Sequence, residues 1–334
     1  MAHRILIFVS EVLAMHSIKP LITRLKQDTA IEVNIIHDGF CTEEINKHNI
    51  DYTLIEAPFA ENVKPFLENC DLIISGKSYA QLSELELLAL SKELQIPYYM
   101  LIPDIGGEIA LAKLTDFRTG ELLLPDKIFI ADKCTHEYLI NHSVPNELIV
   151  PTGSPHFDKL YKRIEQGISD PVKNLIVYIS TPFELDYERG ILNACYKQSR
   201  FIREIKAASD ELSLKIIAKR HTQINADLFA GITMYEGDIV PLLMQACVVV
   251  GSYSTGLIEA AVMGIPVISY QPWTDNIRQD VFTERIPITK SYKQFVAKIK
   301  SALSFERSEA EEITYNPGKS LAVIIRHIYS EIKS

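Results

Sequence analysis

Short apolar, β-branched runs recur along this chain, separated by stretches with helical spacing of leucines such as SELELLALSKELQ, and that alternation restricts it to layered, parallel α/β structure. Strands buried on both faces read as continuous apolar runs. In the first half these are RILIFVS, IEVNIIH, YTLIE, DLIISG, PYYMLIP, KIFIAD and ELIVPTG. In the second half they are NLIVYIST, SLKIIAKR, ITMYEG, CVVVGS and PVISYQP, with one long helix expected from Tyr187 to Leu212. Each half predicts one doubly wound parallel sheet.

A chain of 334 residues with 47% hydrophobic content can bury two such cores. The stretch GSPHFDKLYKRIEQGISDPVKN carries Gly153, Pro155, Gly167 and Pro171 around a short polar helix, which puts the junction at Gly167 to Val172. The expected domains are therefore 1–165 and 172–316. Residues 317–334 form a last segment, and the apolar spacing from Lys319 to Ile332 reads as a helix crossing back onto the first domain.

The formal charge of −9, with no basic stripe interleaved with aromatics, argues against nucleic acid as a general partner. Ser10 and Glu11 interrupt the apolar N-terminal run, so MAHRILIFVSEVLAMHSIKP reads as strand then helix and not as a signal peptide. No apolar run approaches the roughly 18 residues of a transmembrane helix. The five cysteines, Cys41, Cys70, Cys134, Cys195 and Cys247, are scattered and never spaced CxxC, which suits a reducing compartment and offers no zinc site. A cytoplasmic protein is expected.

Between Val248 and Ser269 the sequence VVVGSYSTGLIEAAVMGIPVIS reads as buried strand, small-residue turn, helix start and second buried strand. Hydroxyls and amides at a helix N-terminus suit a diphosphate. Glu259 lies one helical turn past Thr255, placed to accept from a ribose diol. Ser254 or Thr255 acting only as a helix cap is the plainer reading. A capping box, however, needs Ser or Thr three residues before Glu259, where Gly256 stands.

Several elements from Leu124 to Pro272 occur in a shared order: LPDKIFIAD, VPNELIVPTGSPHFDKL, IIAKRH, GDIVPLLMQACVVVGS and STGLIEAAVMGIPVISYQP. In these the chain resembles the GT-B superfamily of nucleotide-sugar glycosyltransferases, to which the hydrolysing UDP-N-acetylglucosamine 2-epimerases are related. The resemblance implies two Rossmann-like doubly wound domains facing across a cleft. It implies transfer of a sugar from a nucleotide-activated donor to a glycan, lipid-linked or protein acceptor, in bacterial-type surface glycan or glycoconjugate synthesis. Carried over, Gly153 and Ser154 match the turn closing the first domain beside the donor, and Ser180 with Thr181 match the turn after the first strand of the second. Lys219, Arg220 and His221 match a basic cluster that offsets charge on the leaving diphosphate. Ser252, Ser254, Thr255 and Gly256 match the phosphate turn, Glu259 the ribose carboxylate, and Tyr235 to Asp238 flank the base. With no acidic DxD triplet, catalysis is expected without a metal and without a cofactor, and a homodimer is left open.

In the first domain candidates follow the strand ends: Ser10, Glu11 and His16, then Gly76, Lys77 and Ser78, then Asp104, Gly106, Gly107 and Glu108. His16, Asp104 and Glu108 are the candidate bases. His156 reads as a solvent-facing or bridging residue. The 2-epimerase alternative is weakened by LIPDIGGEIALAKLTDFRTGE, where those enzymes carry a glutamate, glycine and arginine-rich segment. It is weakened again by STGLIEA, where they have paired glycines and adjacent glutamates. Asp104, Glu108, Asp116 and His221 still supply an acid and base set for it. A non-catalytic nucleotide-sugar-binding protein is the third reading.

Overall fold

The computed structural model describes residues 2–333 apart from 11, 40–41, 48, 77–81, 104, 106–109, 112–113, 117, 168–171, 173, 189–195, 222, 273–285 and 305–312. The chain divides into two units, Met1–Lys159 with Thr314–Ser334, and Leu160–Ile313.

The first unit is built on seven strands: β1 His3–Val9, β2 Ile31–His37, β3 Thr53–Leu54, β4 Leu72–Gly76, β5 Tyr98–Ile102, β6 Lys127–Ile130 and β7 Ile149–Pro151. Its helices are α1 Val12–Leu25, α2 Thr42–Lys47, α3 Phe59–Asn62, α4 Lys64–Leu67, α5 Leu82–Leu94, α6 Lys133–Asn141 and the first part of α7 Pro155–Glu165. The strands pair in parallel in the order β3-β2-β1-β4-β5-β6-β7. Alternate residues of β1 feed opposite cores, as the two-residue period of a strand requires. Ile5, Ile7 and Val9 pack with Ile18, Leu21 and Leu25 of α1, while Leu6 and Phe8 pack with Ile73, Tyr98 and Leu87.

The second unit has six parallel strands: β8 Leu175–Ile179, β9 Lys215–Lys219, β10 Thr233–Met234, β11 Val248–Gly251, β12 Val267–Tyr270 and β13 Ile288–Thr289. Their order is β10-β9-β8-β11-β12-β13. The helices are α8 Phe183–Glu188, α9 Gln198–Glu211, α10 Ile239–Gln245, α11 Thr255–Val262 and α12 Tyr292–Ala302. In both sheets the strand order reverses beside the first strand, at β1/β4 and at β8/β11, which makes each a doubly wound Rossmann-like sheet.

The long helix expected from Tyr187 to Leu212 is two helices. Lys197 is extended (φ −68°, ψ 120°), and the buried Gln198 side chain accepts the Phe183 amide at 3.3 Å, tying the start of α9 to the start of α8. Strand β13 is a short edge strand that the apolar pattern does not reveal.

The division between units falls inside α7, between Lys159 and Leu160, and residues 168–171 of the expected hinge lie outside the described residues. The last helix, α13 Ser320–Ile332, belongs to the first unit, where Ile324, Ile325, Ile328 and Ile332 join the α1 side of the core. Asp158 closes the start of α13 by accepting the amides of Ser320 (3.1 Å) and Leu321 (3.0 Å). No helix among the described residues is long and apolar enough to cross a membrane.

Candidate functional site

Strand β8 runs into Ser180 and Thr181, and its neighbour β11 runs into Ser252, so these residues sit at the carboxyl ends that flank the second unit's switch point. Thr181 and Ser252 are buried, yet Thr181 Oγ1 and Ser252 Oγ have no hydrogen-bond partner among the described residues. Leaving a buried hydroxyl unpaired costs roughly 1–3 kcal/mol, and in the first unit Ser10 Oγ after β1 and Ser75 Oγ in β4 share this feature. Ser180 behaves differently. Its Oγ accepts the His221 amide at 2.7 Å and donates to the Lys219 carbonyl at 3.2 Å, which stitches the ends of β8 and β9 together. Of the two adjacent hydroxyls, it is that of Thr181 that has no partner among the described residues.

Helix α11 begins beside this point. Ser254 is its N-cap (φ −76°, ψ 144°), and its Oγ accepts the Gly256 amide at 3.3 Å. The cap is neutral, so the positive end of the helix is not offset by a carboxylate. Gly256 is closely packed: a Cβ there would meet the side-chain ends Ile179 Cδ1 at 2.7 Å and Ile239 Cδ1 at 3.0 Å. Its missing side chain lets α11 approach β8 and α10 closely, the role of the last glycine in a dinucleotide-binding turn. Thr255 is half-buried, and Glu259, one turn on, is buried and not solvent-facing.

The basic cluster is held at the ends of β9 and β10. Lys219 Nζ donates to the Gly237 carbonyl at 2.7 Å and stands 5.9 Å from the centre of the Tyr235 ring. Arg220 donates to the Ile224 carbonyl at 2.8 Å. His221 Nδ1 accepts the Gln223 amide at 3.3 Å, which leaves the proton of the neutral ring on Nε2 as a donor. Asp238 is occupied as the N-cap of α10, accepting the Val240 amide at 3.2 Å. Among the described residues no group of three or more His, Cys, Asp or Glu could hold a metal ion.

The remaining expected residues lie in the first unit. Gly153 adopts φ +82°, and a Cβ there would overlap the Tyr315 carbonyl and Ser320 Oγ, so it is the seat of the segment leading into α13. Ser154 is fully buried and its Oγ lies 3.3 Å from Ser17 Oγ. His16, half-buried on α1, stacks on His156 with ring centres 5.6 Å apart. Asp116 pairs with the Arg118 guanidinium at 2.8 and 3.1 Å and also accepts its amide, which holds the Asp116 carboxyl down at about 2. Glu11, Lys77, Ser78, Asp104, Gly106, Gly107 and Glu108 lie outside the described residues.

Three further polar residues went unread in the sequence: His37 at the end of β2, and Ser269 with Gln271 at the end of β12, all buried. The signal was available, since each is a polar side chain in or just after an apolar strand run.

The two sheets define a two-Rossmann, GT-B-type fold. No protein-family model and no curated relative matches the chain. Solved structures do match it along its whole length. The UDP-GlcNAc 2-epimerase of Methanocaldococcus jannaschii is 12% identical, with 98% of this chain and 99% of that one covered and a TM-score of 0.68. The UDP-GlcNAc 2-epimerase of Neisseria meningitidis, solved bound to UDP-GlcNAc, is 13% identical, with 98% and 100% covered and a TM-score of 0.65. The glycotransferase of kitacinnamycin is 12% identical, with 99% and 95% covered and a TM-score of 0.60.

Proposed function

We propose that the chain binds a uridine diphosphate sugar through its second unit and cleaves the bond between the anomeric carbon and the diphosphate, as a hydrolysing 2-epimerase does. The observation that carries this reading is the pair of buried, open hydroxyls of Thr181 and Ser252 at the switch point, beside a helix start with a neutral cap. A diphosphate supplies the acceptor oxygens those hydroxyls lack, and the helix end favours its charge. Glu259 is the candidate partner of the ribose diol and Tyr235 flanks the base.

In the proposed reaction a base takes the proton from C2 of the sugar. The C2–H electron pair forms a C1–C2 double bond, and the C1–O pair leaves on UDP. Water then adds at C1 and a proton returns to the opposite face of C2, so that UDP-sugar and water give UDP and the free C2 epimer. His221 Nε2–H and the start of α11 are the groups suited to the charge growing on the leaving oxygen. Asp116, held ionised by Arg118, is not suited to act as an acid at neutral pH. Asp104 and Glu108 stay the candidate bases. The UDP-GlcNAc 2-epimerases that share the fold over the full chain support this reading over transfer.

Glycosyl transfer is the second reading, favoured by STGLIEA and LIPDIGGE, which depart from the epimerase pattern, and by the glycotransferase that shares the fold. Incubation with UDP-GlcNAc in deuterated water without an acceptor separates the two. UDP release with deuterium at C2 supports epimerisation; release without deuterium, or only once an acceptor is added, supports transfer. Binding without any release moves the weight to a binding protein. Thr181→Val and Ser252→Ala should each weaken UDP binding several-fold, a loss of about 1 kcal/mol. Their ligand-free stability should hold, and unchanged UDP affinity in both would overturn the site.

A further inference from the structure

A second set of buried polar groups lies on the other side of β11 from Thr181. Gln271 Nε2 donates to Ser269 Oγ at 2.9 Å, and Ser269 Oγ donates to the Ser252 carbonyl at 2.5 Å. All three residues are buried, with Ser252 and Ser269 at 0% exposure and Gln271 at 4%. The direction of the chain is fixed by chemistry. An amide NH2 only donates, so the Ser269 hydroxyl receives from Gln271 and must turn its own proton to the Ser252 carbonyl. Gln271 is in turn fixed by its backbone, whose amide donates to the Thr289 carbonyl at 2.8 Å, while Thr289 Oγ1 donates to the Ser269 carbonyl at 3.2 Å. The short edge strand β13 is thereby the anchor of the relay.

We infer that Ser269 and Gln271 are positioning residues for ligand binding: they lock the Ser252 peptide, and so set where the open Ser252 hydroxyl is presented at the switch point. The inference rests on the nucleotide site proposed above. On the opposite flank Ser180 does the matching work between β8 and β9. Ser252 is thus held through its own carbonyl by Ser269, while Ser180, next to Thr181 in the chain, ties β8 to the β9 backbone at Lys219 and His221. Buried hydrogen-bond chains polarise along their length and hold a single geometry, which is what presentation of a ligand group within a few tenths of an ångström requires.

The test is a double-mutant cycle on the full chain, read with UDP as the probe and with amide hydrogen exchange of residues 252–257 in the ligand-free protein. Ser269→Ala should weaken UDP binding about five- to tenfold. Gln271→Leu should weaken it less, and the double variant no more than Ser269→Ala alone, because Gln271 acts through Ser269. Ser269→Thr, which keeps the hydroxyl, should restore binding. Exchange at 252–257 should quicken in both single variants, while exchange in the first unit's sheet stays as in the wild type and shows that the variants are folded. Additive losses, or faster exchange with unchanged UDP affinity, would overturn the positioning role. If the wild-type chain binds no UDP, the nucleotide site itself fails. The brace is then decided by exchange alone, and unchanged rates at 252–257 would overturn it.

Discussion

Two helix starts, one in each unit, follow the carboxyl end of a parallel strand and are closed in opposite ways. In the first unit Asp132 caps α6 with both carboxylate oxygens, accepting the Thr135 amide at 2.9 Å and the Thr135 hydroxyl at 2.5 Å. The buried carboxylate offsets the positive helix end and leaves that N-terminus unattractive to an anion. In the second unit Ser254 caps α11 with one neutral oxygen and one long contact, and unpaired hydroxyls stand nearby. Helix α11 follows β11 at the β8/β11 switch point, whereas α6 follows β6 away from the β1/β4 one, so the two starts differ in place as well as in the charge of the cap.

The largest effect expected from a single substitution falls on the first unit, whose turn after β7 is structural. Gly153→Ala meets the Tyr315 backbone oxygen in a left-handed conformation, and neither can yield cheaply. It should cost about 3 kcal/mol or more in denaturant unfolding. A loss below about 1 kcal/mol would mean that the segment before α13 is loosely seated. By contrast Gly256→Ala meets only the flexible ends of Ile179 and Ile239, so its cost should be clearly smaller.

Next in size is the exchange of one cap for the other. Ser254→Asp keeps a good N-cap but brings a negative charge to the start of α11, so stability should hold while UDP affinity falls about tenfold, ~1.4 kcal/mol. The loss should shrink as salt is raised. Ser254→Ala sharpens the contrast from the other side: it removes the cap, costs about 1 kcal/mol of stability, and adds no repulsion. If the two variants bind UDP alike in calorimetry, cap charge is irrelevant and the anion does not lie at this helix start.

The strands were legible because both faces of each sheet are covered, so a buried strand such as VVVG needs no turn or partner to be recognised. The succession of strand, small turn and helix from Val248 to Val262 was legible. The division of labour among the hydroxyls at the strand ends was not. Ser180 and Thr181 are adjacent hydroxyls, and only the pairing of β8 with β9 reveals that Ser180 is spent on Lys219 and His221. Gly153 and Gly256 look alike in sequence, and only the packing of remote residues, Tyr315 and Ile179, gives each its reason. The starts of α8 and α9 are tied by a hydrogen bond from the Phe183 amide to the Gln198 side chain, which no periodicity registers.

The smallest expected effect concerns a buried histidine in the first unit. His37 ends β2, its Nδ1 accepts the Gly39 amide at 3.0 Å, and its ring meets Tyr52 edge-on at 4.5 Å. Burial pushes its pKa below the usual 6.5, against the opposing pull of Asp38. The folded state therefore holds this proton less tightly than the unfolded chain, so stability is fully present above pH 6.5 and declines as pH falls from there through the lower folded value. His327, also lowered by burial with Lys127 and Arg326 near it, adds a slope of the same sign. His37→Asn keeps an acceptor for Gly39 without a titrating ring. Denaturation midpoints measured from about pH 7.5 to 5 should then fall less steeply in the variant than in the wild type, with the His327 share remaining. Identical slopes would show that the His37 site accepts the charged and the neutral ring alike, and that the turn after β2 does not depend on the Gly39 amide being accepted.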